Sequence, residues 1–162
     1  MLAPIPMTPI GVIRSRFVDP AGMPLQPVAA AEEIAQAEIF EPYAAALQDL
    51  EGFEYLILLA HMHRATEKLQ VVPFLDQVPH GVFATRAPAR PNRIGLSVMR
   101  VIALEGRVLR FAGNDFADGT PLLDIKPYVP AFDVRATDRI GWYAGRLGAL
   151  PHTVADDRMG QP

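Results

Sequence analysis

One unbroken apolar stretch, Glu54–Met62 (EYLILLAHM), stands out along the chain and predicts a strand buried on both faces. Its apolar part, Tyr55–Met62, is too short to cross a bilayer. Two further runs, IGLSVMRVIAL and RVLRF, flank Glu105-Gly106, so Ile94–Phe111 reads as a β-hairpin with glycine where a positive φ is needed. Gly11–Arg14 predicts a first strand, followed by the turn-rich loop Asp19–Pro27. Leu122–Ile125 predicts a last one, fenced by Pro121 and Pro127. Val71–Leu75 and Gly81–Thr85 are shorter strand candidates, the first pushed to an edge by Pro73. Ala29–Leu50 carries conflicting signals: AAAEEIAQAEIF has strong helix propensity, yet Pro42 forbids one continuous helix. A short helix over Tyr43–Leu50, stopped by Gly52, is expected there, and a helical turn carrying Trp142 within Gly141–Leu147. Many short strands and few helices predict a mainly β fold, a small barrel or sandwich. No repeat or linker interrupts it, so residues 1–150 are expected to form one domain and residues 151–162 a loose tail.

Composition narrows the class. Half of the 162 residues are apolar and a fifth charged, as in ordinary globular chains. The absence of cysteine excludes disulfides, thiolate ligands and a cysteine nucleophile. The N-terminus, MLAPIPMTPIGVIRS, lacks the basic region of a secretory signal and holds three prolines, so a soluble cytoplasmic protein is expected. Charge is segregated although the net is only −3: eight acids and no Lys or Arg lie between Phe17 and His63. Between His80 and Asn114 stand six arginines (86, 90, 93, 100, 107 and 110) against Glu105 alone. Arginine suits bidentate phosphate or carboxylate recognition, while mutual pairing of the two patches explains the pattern as well.

Three segments could carry chemistry. His61 and His63, with His80, suggest a metal site if both fall on one strand face, but nothing in the sequence selects a third ligand. TRAPARPNRIG (Thr85–Gly95) is stiffened by Pro88 and Pro91 and presents Arg86, Arg90 and Arg93. NDFADGTPLLDIKPYVP (Asn114–Pro130) gathers Asp115, Asp118 and Asp124 around a DGTP turn, which can expose backbone N–H groups to a ligand or be a plain β-turn. Phosphate-loop, dinucleotide, nucleophile-elbow and EF-hand motifs are all missing.

Taken together, IGVIRS (Ile10–Ser15), LQP (Leu25–Pro27), LLAHMH (Leu58–His63), GVFATRAPARPNRIGLS (Gly81–Ser97) and DGTPLLDIKPYVP (Asp118–Pro130) resemble the TsaA-like family, also called YaeB-like or TrmO. The resemblance covers roughly residues 8–135 and implies a homodimeric, single-barrel methyltransferase that uses S-adenosylmethionine; with no complete ligand set in the sequence, no metal is expected. It further implies N6-methylation of threonylcarbamoyladenosine beside the tRNA anticodon. Carried over position by position, the cofactor contacts are Gln26, Pro27, Val28, His63, Arg64, Arg86, Leu96, Asp118, Gly119, Thr120 and Pro121. Arg64 stands where relatives often have Gln, and Leu25 where Arg is expected. The catalytic candidates are Asp118, to hold or deprotonate the adenine amine, and Arg86, to bind the methionyl carboxylate or a phosphate. Arg90 and Arg93 become tRNA phosphate contacts. Against the longer bacterial members of the resembled family, no extra C-terminal domain is expected after the barrel, and that expectation bears on the RNA more than on the cofactor. A cofactor-binding regulator, a small-molecule methyltransferase and, more distantly, a His-based metal hydrolase are the alternatives.

Overall fold

The computed structural model describes residues 2–19 and 31–148, so the expected cofactor positions Gln26, Pro27 and Val28 and the tail 151–162 lie outside the described residues. Eight strands occur among those described: β1 (Gly11–Arg14), β2 (Ile34–Ile39), β3 (Tyr55–His61), β4 (Gln70–Val71), β5 (His80–Gly81), β6 (Ile94–Glu105), β7 (Val108–Ala112) and β8 (Thr120–Pro127). Six of them close a barrel in the order β1-β2-β7-β6-β3-β8, each neighbouring pair antiparallel. The mainly β, single-barrel expectation is met.

Alternation fills the interior. Ile13, Ala35, Ala37, Leu56, Leu58, Met99, Leu109, Phe111 and Leu122 point inward and are buried. On β3 the inward residues alternate with half-buried Ile57 and Leu59, so this strand has one buried face, not two as its unbroken hydrophobicity suggested. The β6–β7 hairpin turns at Gly106, whose φ of 60° suits the residue expected there.

The largest departure from expectation is β2. Its Ala-rich sequence favours a helix, but Ala35 and Ala37 pair in register with Phe111 and Leu109 on β7. Two small residues beside two large ones fit a narrow barrel interior, and that packing outweighs local propensity. The following helix is 3₁₀ and runs Glu41–Leu47, because Pro42 opens its first turn and does not break it. Val71–Leu75 shrinks to Gln70–Val71, and Gly81–Thr85 turns into a 3₁₀ segment at Val82–Ala84 after two paired residues. These two short strands form a separate ladder outside the barrel. Pro121 and Pro127 lie inside β8, near its two ends, where a missing N–H costs one ladder bond at most. Trp142 sits in a 3₁₀ turn, Gly141–Tyr143, shorter than the expected Gly141–Leu147.

The barrel has two unlike ends. At one, the Glu105–Val108 turn lies near the 3₁₀ helix, and Tyr43, Leu47, Leu50 and Phe53 pack on the core as an apolar plug. At the other, the register brings His61 opposite Ile94, Ala60 opposite Leu122 and Ile13 opposite Thr120. The end of β3 and the starts of β6 and β8 therefore converge there, and with them the segments singled out for chemistry.

Candidate active site

A cavity of about 990 Å³ opens at this second end. The start of β6, the Thr85–Arg90 loop, the Asp115-Phe116 segment and Trp142-Tyr143 line it. Each lining element is held by identifiable bonds. Asn114 is buried and brackets Phe116, donating from Nδ2 to its carbonyl (2.9 Å) and accepting its N–H at Oδ1 (3.2 Å). The Gly113 and Asn114 amides both donate to the Glu33 carbonyl. This fixed turn seats Phe116 in the core and sends the Asp115 carboxyl to Ser97 on β6, whose Oγ lies 2.7 and 2.9 Å from the two carboxyl oxygens.

The arginine loop is knotted from within. Arg90 Nη1 donates to the carbonyls of Thr85 (2.8 Å) and Val82 (3.2 Å), and Thr85 Oγ1 donates to Val82 O (2.8 Å). Arg86 reaches the other way, donating through Nη2 to Leu96 O (2.8 Å), so its guanidinium is anchored to β6 beside Ser97. Arg93 takes a positive φ of 49° and donates to Ala65 O (3.3 Å). The far wall is aromatic: Trp142 donates to Ala84 O (2.7 Å) and stacks on His80 and Tyr143. Asp76 ties this wall down through His80 Nε2 (3.0 Å) and Arg146 Nη2 (3.1 Å). The His80 hydrogen bond, chief among several causes, holds the Asp76 carboxyl below its usual range.

One titratable group is strongly perturbed. Burial pushes the Asp115 carboxyl up to about 7, against the lowering influence of the Ser97 hydroxyl, its own backbone amide and the Arg86 charge. A carboxyl raised by desolvation beside a charged partner in a cleft is a candidate functional group. Sequence reasoning noticed Asp115 only as part of an acidic cluster. Its partner stands eighteen positions away, and only the barrel register joins them.

The expected site residues fall into two groups at this end. Arg86 and Leu96, with Arg90, line the cavity. Asp118, Gly119, Thr120 and Pro121 form the neighbouring turn, where Gly119 has φ of 76° and Asp118 Oδ1 accepts the Ser15 amide (3.1 Å). Thr120 is buried with its hydroxyl on Ala117 O (2.8 Å), and Pro121 pairs opposite Val12. Arg64 donates to the carbonyls of Val18 and Asp118, so it belongs to this turn. His63 follows the end of β3, its amide on His61 O (2.7 Å), so the two histidines do not share a strand face as the metal reading required. Among the described residues no three His, Asp or Glu side chains group to hold a metal. Burial, then the Arg93 and His63 charges, lowers the His61 imidazole below its usual range.

Comparison with known proteins assigns the fold a lineage. A family model described as the tRNA-methyltransferase O N-terminal domain matches residues 12–134. A Pyrococcus abyssi protein named "Probable S-adenosyl-L-methionine-binding protein" is 48% identical over 152 residues, covering 93% of this chain and 83% of its own. The mouse protein named tRNA (adenine(37)-N6)-methyltransferase is 37% identical over 133 residues, 77% of this chain and 31% of its own. The crystal structure of TrmO from Pseudomonas aeruginosa superposes with a TM-score of 0.74 at 39% identity, over 90% of this chain and 64% of that one. The chain thus spans somewhat under two-thirds of that solved protein and a third of the mouse enzyme. With the barrel and these matches together, the chain belongs to the family of the tRNA-methyltransferase O N-terminal domain.

Proposed function

We propose that this chain binds S-adenosylmethionine at the open end of its barrel and methylates the N6 position of an adenine in tRNA. The threonylcarbamoyladenosine beside the anticodon is its target in this reading, and the setting is the cytoplasm. The observation that carries it is a cavity in a chain of this family that combines an anchored guanidinium, a perturbed carboxyl and a flat aromatic wall. Its volume lies at the upper end of the ~300–1,000 Å³ of small-molecule sites.

The residues present fit the cofactor. Arg86 takes the methionyl carboxylate bidentately, and Met62, Leu96 and Phe116 offer apolar surface to the adenosine and thioether parts. Gln26, Pro27, Val28, His63, Arg64 and the Asp118–Pro121 turn complete the contacts in this proposal. The cofactor supplies an electrophilic methyl group on a sulfonium. The chain's own work is alignment: rigid loops hold acceptor and donor in line and exclude water, which lowers the barrier without a strong catalyst. Arg93 and Arg90 give phosphate contacts at the rim, Arg90 with whatever donors its loop carbonyls leave free. We assign the site to a homodimer, a reading supported by the exposed apolar side chains Phe83, Val72 and Leu96 near the cavity mouth.

A second reading, cofactor binding without methylation, draws on the Pyrococcus relative's name. Calorimetry with S-adenosylmethionine, then mass spectrometry of nucleosides from tRNA incubated with protein and cofactor, separates the two. Heat of binding and a methylated adenosine derivative are expected. Binding without that product supports the second reading, and no binding removes both.

A further inference from the structure

Asp115 is the carboxyl residue among those lining this cavity, and the sequence reading gave it no role. Asp115 lines the cavity close to the anchored Arg86, and the Ser97 hydroxyl hydrogen-bonds its carboxyl. The Asn114 bracket fixes its backbone, so the carboxyl is preorganised. Asp118, the residue to which sequence reasoning gave proton removal, has Oδ1 on the Ser15 amide and does not line the cavity.

Building on the methyltransferase reading above, we propose that Asp115 is the catalytic residue that accepts the proton from the nitrogen being methylated, with Ser97 as its positioning residue. In the step, the acceptor nitrogen's electron pair forms the new N–C bond. The C–S bond of a sulfonium methyl donor breaks and its electrons remain on sulfur, leaving a neutral thioether. The nitrogen's surplus proton passes to the Asp115 carboxylate. An exocyclic adenine nitrogen is a poor nucleophile, so proton removal as the bond forms is worth about 10²–10⁴-fold. A carboxyl poised near 7 is matched to that task, charged often enough to act and basic enough to take the proton. The other charged or titratable side chains lining the cavity are Arg86, Arg90, Lys68 and Tyr143. Of these, Arg86 lowers the Asp115 carboxyl, and Ser97 does so by hydrogen bonding.

The test uses the full chain with S-adenosylmethionine and tRNA. Asp115→Asn should stay folded, bind the cofactor within about threefold by calorimetry, and lose at least about 100-fold in single-turnover methylation. Carboxyl carbon resonances of the free protein should show Asp115 titrating near 7, a readout independent of turnover. Ser97→Ala keeps the carboxylate and loses its donor, so both the titration and the rate inflection should move to higher pH. Unchanged rate in Asp115→Asn overturns the proposal. So does a tenfold loss of cofactor affinity at full saturated rate, which makes Asp115 a cofactor anchor. If Asp115→Asn unfolds, a Ser97→Ala variant with an unshifted rate profile overturns it equally. Failure of the methyltransferase reading is distinct, because wild type itself then forms no product.

Discussion

The two ends of the barrel use the same strands for opposite purposes. At the hairpin end, Leu47, Leu50, Tyr43 and Phe53 cap the core with apolar surface, and Arg107 donates to Ile39 O (2.6 Å) to tie the turn to β2. At the open end, buried polar groups take over: Ser97, Asn114 and Thr120 are each less than 4% exposed, and each is hydrogen-bonded. Buried polar groups stabilise less than apolar packing and fail badly when a partner is removed. The comparison teaches that the barrel concentrates cohesion at one end, which lets the other hold a charged group in an unfavourable setting. Stability and chemistry should therefore separate under mutation.

The largest effect should come from the core they share. Phe111→Ala removes a fully buried ring and should lower stability by about 3–5 kcal/mol in denaturant melts, weakening both ends together. Leu47→Ala trims only the plug and should cost about 2–3 kcal/mol, leaving cofactor affinity unchanged. A lost cofactor site in Leu47→Ala would mean the ends are coupled.

Next in size is pH. The Asp115 carboxyl is raised to about 7 in the fold from 3.8, so its neutral form is the stabilised one. That stability is fully present below about pH 4 and is lost as pH rises through about 7, at most about 4 kcal/mol. Melting across this window should show the decline in wild type, and Asp115→Asn should flatten it. A wild-type curve that rises through the window breaks the assignment of strain to the open end.

Arg90→Ala should be smaller, about 1–2 kcal/mol, because it unties the Val82 and Thr85 carbonyls. Faster amide exchange confined to residues 82–90 would mark a loop knot. A flatter salt dependence of tRNA binding, with exchange unchanged, would mark a phosphate contact instead. Smallest is Trp142→Ala, under about 1 kcal/mol, since the half-buried ring is held by one hydrogen bond to Ala84 O and by stacking on His80 and Tyr143. Fluorescence quenching of Trp142 on cofactor addition should accompany it in wild type, and none would remove the aromatic wall from the site.

Local signals in the sequence carried much of this fold. The β6–β7 hairpin was legible because Gly106 and alternating apolar residues agree with the structure over both strands. β1 was legible as a short apolar segment and β3 from its unbroken apolar run, although that run hid which face of β3 is buried. β2 was not, because alanines at 35 and 37 favour a helix locally and a strand only when Phe111 and Leu109 lie beside them. The site divides likewise. Arg86 and the DGTP turn announce themselves through unusual motifs. Asp115 acquires its character only when the chain closes on Ser97 and the carboxyl leaves water.

The most direct measurement of the central claim is an amide NMR titration of the full chain with S-adenosylmethionine. Shifts should appear at Arg86, Leu96, Ser97, Asp115 and Gly119, all at the open end, and be absent at Leu47 and Arg107. Shifts at the hairpin end with none at Ser97 or Asp115 would contradict the account.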